Sequence, residues 1–171
     1  MISCMEGVVH LARVTGDQSY VEAAEKLFSN LAKYERLAVG SVSFNDKFVG
    51  SVNLINVLSE ICDTVYWNRL AFELFLLTGK ASYIDEIEMA AYNTIPCGMA
   101  PDGHWGIRRL RYSHEHVPAP QHCQLEHHHC CLDNLPRGFF QLTQTAFACS
   151  DDELYWSFFE SGSGTVSLPS G

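Results

Sequence analysis

The sequence predicts a mainly α fold built from antiparallel helix pairs, as in an α/α toroid, with the start of a sheet at its C-terminal end. Three observations carry this. An internal repeat recurs at an offset of 63 residues, the texture changes abruptly after Asn93, and the last stretch alternates with period two.

The repeat comes first in the chain. Thr15-Gly16, Ser19-Tyr20-Val21-Glu22 and Glu25 recur as Thr78-Gly79, Ser82-Tyr83-Ile84-Asp85 and Glu88. Each copy has an apolar helical run, a Gly suited to the left-handed position past a helix end, and a short turn. Ser19 or Ser82 is then expected to N-cap the next helix, with Glu22 or Asp85 closing a capping box. Tyr20, Ala24, Phe28 and Leu31 form one stripe at helical spacing. Tyr66, Leu70, Leu74 and Leu77 form another, on a helix expected from about Asp63 to Thr78. A lone helix pair cannot bury its apolar face, so such pairs stack or close into a ring.

Residues 96–136 hold most of the chain's 6 prolines and 8 histidines and read as a long irregular segment. Long irregular segments within compact domains usually carry function. A short helix from about Pro136 to Phe147 is expected next, with Asn134 as its cap. Leu154, Trp156 and Phe158 then alternate, and Gly162-Ser163-Gly164 leads to Val166 and Leu168, which predicts a β-hairpin. The expected division is a partial helical region over 1–147 and the first hairpin of a sheet domain over 148–171. A 63-residue hairpin repeat fits little more than twice in 171 residues, so the chain reads as the later part of a larger toroid.

Composition excludes some functions. The net charge is −9, without the basic stripe of a phosphate-tracking nucleic-acid binder. The longest apolar stretch, Leu70 to Leu77, is far short of the about 20 residues that cross a membrane. No charged n-region and apolar h-region opens the chain. The compartment stays open between cytoplasm and periplasm.

The 7 cysteines do not read as a disulfide scaffold, being odd in number, but as free thiols, metal ligands or both. Cys4, Cys97 and Cys149 are expected to be small buried hydrophobes. Glu60-Ile61-Cys62 and Cys130-Cys131 carry the chemistry. A carboxylate and a thiolate two residues apart face the same side only in an extended segment or at a helix start. Two adjacent cysteines are expected to reach one ion from irregular backbone. One Glu and three Cys have the hardness and count of a four-coordinate zinc site, while a plain buried thiol is the alternative for Cys62.

Glu60-Ile61-Cys62 resembles the E-T-C motif of glycoside hydrolase family 127, the bacterial β-L-arabinofuranosidases. Tyr66-Trp67, Leu77-Thr78-Gly79, Tyr83, Asp85 to Glu88 and Tyr92-Asn93 are similar as well. Cys130-Cys131-Leu132-Asp133-Asn134-Leu135-Pro136-Arg137-Gly138 resembles the family's C-C-x-x-N-x-x-R segment, with Asn134 and Arg137 in register. The resemblance implies an (α/α)6 barrel followed by β-sandwich domains, of which this chain would lack the remaining segments. It implies Zn2+ on Glu60, Cys62, Cys130 and Cys131, Cys130 as nucleophile, and retaining hydrolysis of an arabinose-containing glycan. The family places its acid/base Glu shortly before the E-T-C motif. Here Asp46 is the nearest carboxylate, with a surface aspartate in a turn as the alternative reading.

Two other functions remain open at this point. One is a non-catalytic helical module with a closed structural zinc site, and the other an inactive truncated family member. His127, His128, His129 and Cys123 are further ligand candidates, and His104, Trp105 and Tyr112 candidates to line a sugar pocket.

Overall fold

The computed structural model describes residues 2–43, 47–48, 50–51, 59–99, 103, 109–110, 130–150, 153–158 and 160–167. Among these, six helices run in the order α1 (Ile2–Thr15), α2 (Gln18–Tyr34), α3 (Ile61–Thr78), α4 (Ser82–Tyr92), α5 (Thr94–Cys97) and α6 (Cys130–Thr145). Four short strands join them: β1 (Ser59–Glu60), β2 (Arg109–Leu110), β3 (Phe147–Cys149) and β4 (Leu154–Trp156). The mainly helical expectation holds.

The repeat is a pair of helix hairpins, α1–α2 and α3–α4. Gly16 and Gly79 end the first helix of each copy at φ 73° and 68°, a region closed to most L residues. Their amides return to Ala12 O and Phe75 O, both at 2.8 Å. Thr15 and Thr78 each donate to the carbonyl four residues back, at 2.9 and 2.7 Å.

The helix starts differ from expectation. Asp17, not Ser19, caps α2, its carboxylate accepting the Ser19 amide at 2.9 Å. A charged acceptor one residue earlier takes the role and draws Ser19 into the first turn. In the second copy Ala81 is already helical and makes no side-chain cap bond, so Ser82 is the first helical residue rather than the cap.

Helix α3 is the centre of the molecule, packed against α1, α4 and α6. Trp67, Leu70, Ala71 and Leu74 are fully buried on it. Trp67 stacks on Phe28 of α2 with ring centroids 3.8 Å apart, and Tyr83 of α4 meets Phe28 edge-on at 4.9 Å. Such ring pairs add about 0.5–1.5 kcal/mol each beyond the area they bury. Glu6 of α1 accepts from Arg69 of α3, Nε at 3.0 Å, between positions that correspond in the two copies. A second, smaller apolar cluster holds Ile61, Cys62, Val65, Ala90, Ile95, Cys131 and Leu135. It joins the N-terminal ends of α3 and α6.

Three further expectations are corrected. The last helix begins at Cys130 rather than near Pro136 and ends at Thr145, so Pro136 lies inside it and Asn134 is helical, not a cap. The hairpin pairs β4 with the segment before it: Phe147 faces Trp156, Ala148 faces Tyr155 and Cys149 faces Leu154. A partner across a short turn costs less loop-closure entropy than one beyond the glycines. Residues 160–167 form no strand, and Leu168 lies outside the described residues. The facing is also inverted within β4, whereas Phe158 beyond it faces the core as expected. Leu154 and Trp156 are exposed, while Tyr155 between them meets Phe75 edge-on at 5.5 Å and Phe158 is buried in the helical core. Lastly, Cys4, Cys97 and Cys149 are exposed free thiols, because each lies on the outer side of its element. No helix among the described residues is long and apolar enough to cross a membrane.

Candidate metal centre

Glu60 is the last residue of β1 and the N-cap of α3, in extended conformation at φ −115°, ψ 130°. Cys62 follows in the first helical turn. This is the helix start that a carboxylate and a thiolate two residues apart require, and both side chains are buried. The backbone at this point is held from two sides. Glu60 pairs antiparallel with Arg109, and the Thr64 hydroxyl bonds both Glu60 O and Ser41 Oγ, each at 2.9 Å. Ser43 Oγ bonds Asp63 in the same turn.

Helix α6 brings the other two thiols, and not from irregular backbone as expected. Cys130 and Cys131 are its first two residues, which point about 100° apart on a helix. They serve one site because the N-terminal end of α6 meets that of α3, and each cysteine finds a different partner there. Cys130 Sγ lies 3.5 Å from Cys62 Sγ, and Cys131 Sγ lies 3.8 Å from Glu60 Oε1. The three sulfurs all lie within 4.8 Å of one another and could hold a metal ion. Cys62 and Cys131 are buried, whereas Cys130 is exposed.

The electrostatics of the three thiols are linked. The hydrogen bond to Cys131, reinforced by burial, pushes the Cys62 thiol up. Burial, and then the charge on Cys131, pushes Cys130 up as well. The hydrogen bond from Cys62 pulls Cys131 down against its own burial, which favours negative charge there over the other two thiols. Two converging helix N-termini favour that negative charge. A bound cation would displace the remaining thiol protons, since metal binding and thiol deprotonation are linked.

The approach of α6 to α3 depends on Gly138, the last residue of the Cys130 to Gly138 block, to which the sequence alone assigned no packing role. A Cβ on Gly138 would stand 2.8 Å from Val65 Cγ2 and 3.1 Å from Ile95 Cδ1. Only glycine lets the helices close this far without a neighbour moving. Its signal in the sequence was a lone Gly within a helical pattern.

The remaining candidates fall elsewhere. Asp46, His104, Trp105, Tyr112, Cys123 and His127 to His129 lie outside the described residues. Among the described residues, a surface cavity of about 650 Å³ opens between α1, α3 and α6 beside Glu6, Arg69, Glu73, Arg137 and Gln141. It does not include the thiols. Its carboxylates are committed, Glu6 to Arg69 and Glu73 to Arg13 at 2.6 Å, so the sulfur cluster is the better centre for chemistry.

The chain is similar in sequence and in helical fold to known proteins. The family model described as "Beta-L-arabinofuranosidase, GH127 catalytic domain" matches residues 1–144. A non-reducing end β-L-arabinofuranosidase of Bifidobacterium longum subsp. longum is 26% identical over 145 residues, covering 77% of this chain and 22% of that protein. The crystal structure of a GH127 β-L-arabinofuranosidase from Geobacillus stearothermophilus T6 superposes with a TM-score of 0.71 at 22% identity, covering 91% of this chain and 27% of that one. A second solved GH127 β-arabinofuranosidase gives 0.70 at 21% identity, with 92% and 25% covered. The chain thus spans about a quarter of the length of these relatives. With its helical fold and the family match over residues 1–144, the chain belongs to the GH127 β-L-arabinofuranosidase catalytic-domain family.

Proposed function

We propose that this chain carries the zinc–cysteine part of a retaining glycosidase that acts on β-L-arabinofuranosides or a related sugar. The observation that carries this reading is the cluster of three sulfurs within 4.8 Å, with the buried Glu60 carboxylate 3.8 Å from one of them. Tetrahedral zinc with Zn–S bonds of about 2.3 Å would set its sulfurs about 3.8 Å apart, close to the 3.5 Å between Cys62 and Cys130. The donor set therefore fits. Glu60, Cys62, Cys130 and Cys131 would hold the ion, which when bound would keep its cysteine ligands deprotonated at neutral pH.

The differing exposure of the thiols supports catalysis over a closed structural site. Cys62 and Cys131 are buried, and Cys130 is open to an incoming sugar. In this mechanism the Cys130 sulfur attacks the anomeric carbon while the glycosidic C–O bond breaks. A carboxylic acid protonates the departing oxygen, and the sugar is left as a thioglycoside on Cys130. The resulting carboxylate then takes a proton from water as that water attacks the same carbon. The C–S bond breaks, and configuration is retained after two inversions. Asp46 is proposed for the acid/base role.

The helices over 1–147 belong, in this reading, to an (α/α)6 barrel, and residues 148–171 open a β-sandwich. The substrate is an arabinose-containing glycan, with neither nucleic acid nor membrane as partner. The test begins with zinc analysis of the purified chain, where about one zinc per chain is expected. Cys130→Ala should then abolish release of a chromophore from an aryl β-L-arabinofuranoside, with the rest of the parent protein supplied. Full hydrolysis by the alanine variant would sink the nucleophile assignment.

A further inference from the structure

Pro136 stands in the second turn of α6, between the two cysteines and the part of the helix that Gly138 seats against Val65 and Ile95. A proline there has no amide to give to the carbonyl of Leu132, and its ring pushes that carbonyl away. The backbone ladder is thus interrupted between the turn that carries Cys130 and Cys131 and the body of the helix. Side chains bridge the interruption. Arg137, just beyond the proline, donates from Nη1 to Asn134 Oδ1 at 3.2 Å, and Asn134 donates from Nδ2 to Cys130 O at 2.8 Å. Asn134, which makes both bonds, is 5% exposed, while its partners Cys130 and Arg137 lie at the surface.

We infer that Asn134 and Arg137 form a strut across the missing backbone bond at Pro136, which fixes the cysteine turn of α6 relative to Cys62. These are positioning residues, acting through the backbone of Cys130. The strut explains how a helix that lacks one backbone bond beside its ligands still presents two sulfurs in register with α3. Only its metal readout rests on the proposed function; its thiol readout does not.

The experiment is a mutant cycle on the whole chain, comparing Asn134→Ala, Pro136→Ala and the double variant. Zn2+ affinity is measured by competition with a chromophoric chelator, the thiolate-to-metal absorption with Co2+, and Cys130 alkylation by iodoacetamide in the metal-free protein. Asn134→Ala is expected to weaken Zn2+ binding on the order of tenfold, to shift the Co2+ spectrum, and to change the Cys130 alkylation rate. Pro136→Ala returns the missing backbone bond, so in that background the same substitution should have little effect. An equal loss in both backgrounds overturns the strut, as does an Asn134→Ala protein with unchanged thiol reactivity. Should Asn134→Ala fail to fold by circular dichroism, Asn134→Asp takes its place, since it keeps the acceptor for Arg137 and removes only the donor to Cys130. Wild-type protein that binds no Zn2+ would count against the proposed function alone, and the alkylation rates would still decide the strut.

Discussion

The two copies of the repeat share a turn and differ in what leaves it. At the place where the first copy has Asp17, the second has Lys80. Asp17 turns inward on its own helix and caps α2. Lys80 leaves α4 without a side-chain cap and reaches to Glu25 of the first copy, Nζ to Oε1 at 2.6 Å. Tyr83 donates to the same carboxylate oxygen at 2.8 Å. The aromatic core is likewise unequal. Trp67 is fully buried against Phe28, whereas its counterpart in the first copy is the exposed Cys4. Matching residues build each hairpin's turn, and the links between hairpins use residues that differ, Lys80 and Trp67, beside matching ones, Tyr83 and Glu25.

The most severe way to break that junction is Trp67→Ala. Removing a buried indole costs about 3–5 kcal/mol, and a midpoint in urea should fall accordingly. Cys4→Ala, at the corresponding place, should leave the midpoint unchanged. Gly16→Ala and Gly79→Ala test what the copies share. Each forces an alanine into left-handed backbone, at about 1–2 kcal/mol, and thermal melts of the two variants should agree closely. A large difference between them would show that the turns are not equivalent.

Lys80→Ala should cost less, at most about 1 kcal/mol, because the lysine is half exposed and screened by solvent. Its signature lies in pH dependence. Burial works against the Glu25 carboxylate, but the bonds from Lys80 and Tyr83 outweigh it and hold its pKa below the usual carboxylate value. A depressed carboxylate stabilises the fold above its unfolded pKa, and that contribution is lost as pH falls through the folded one. Lys80→Ala should therefore flatten the acid limb of a stability–pH curve near and below pH 4.5. Asp17→Ala should give the smallest and most local change, read as faster amide exchange at Ser19 with the rest of α2 unaffected.

Much of the helical region was legible in the residues themselves. The Thr-Gly turns, the stripe of Ala24, Phe28 and Leu31, and the helix start at Glu60 and Cys62 all follow from preferences acting within about four residues. The misreadings have a common cause. Pro136 was taken to open a helix, but the contacts of Cys131, Leu135 and Gly138 with α3 and α5 outweigh its local preference. Leu154, Trp156 and Phe158 do alternate, yet alternation alone cannot say which side faces the core or which segment is the partner.

By itself the sequence determined the helix hairpins, the chemical character of the donor set, and the kinship of Glu60-Ile61-Cys62 and Cys130-Cys131 with one family. Only the tertiary structure decided that Cys62 and Cys130, 68 positions apart, lie 3.5 Å from each other, and that one of three clustered thiols stays open. The reason is physical. Turn and capping preferences are short-ranged, whereas the meeting of two helix ends is set by how closely α6 can pack on α3. A glycine at 138 and a buried apolar cluster around Ile61 and Leu135 fix that distance.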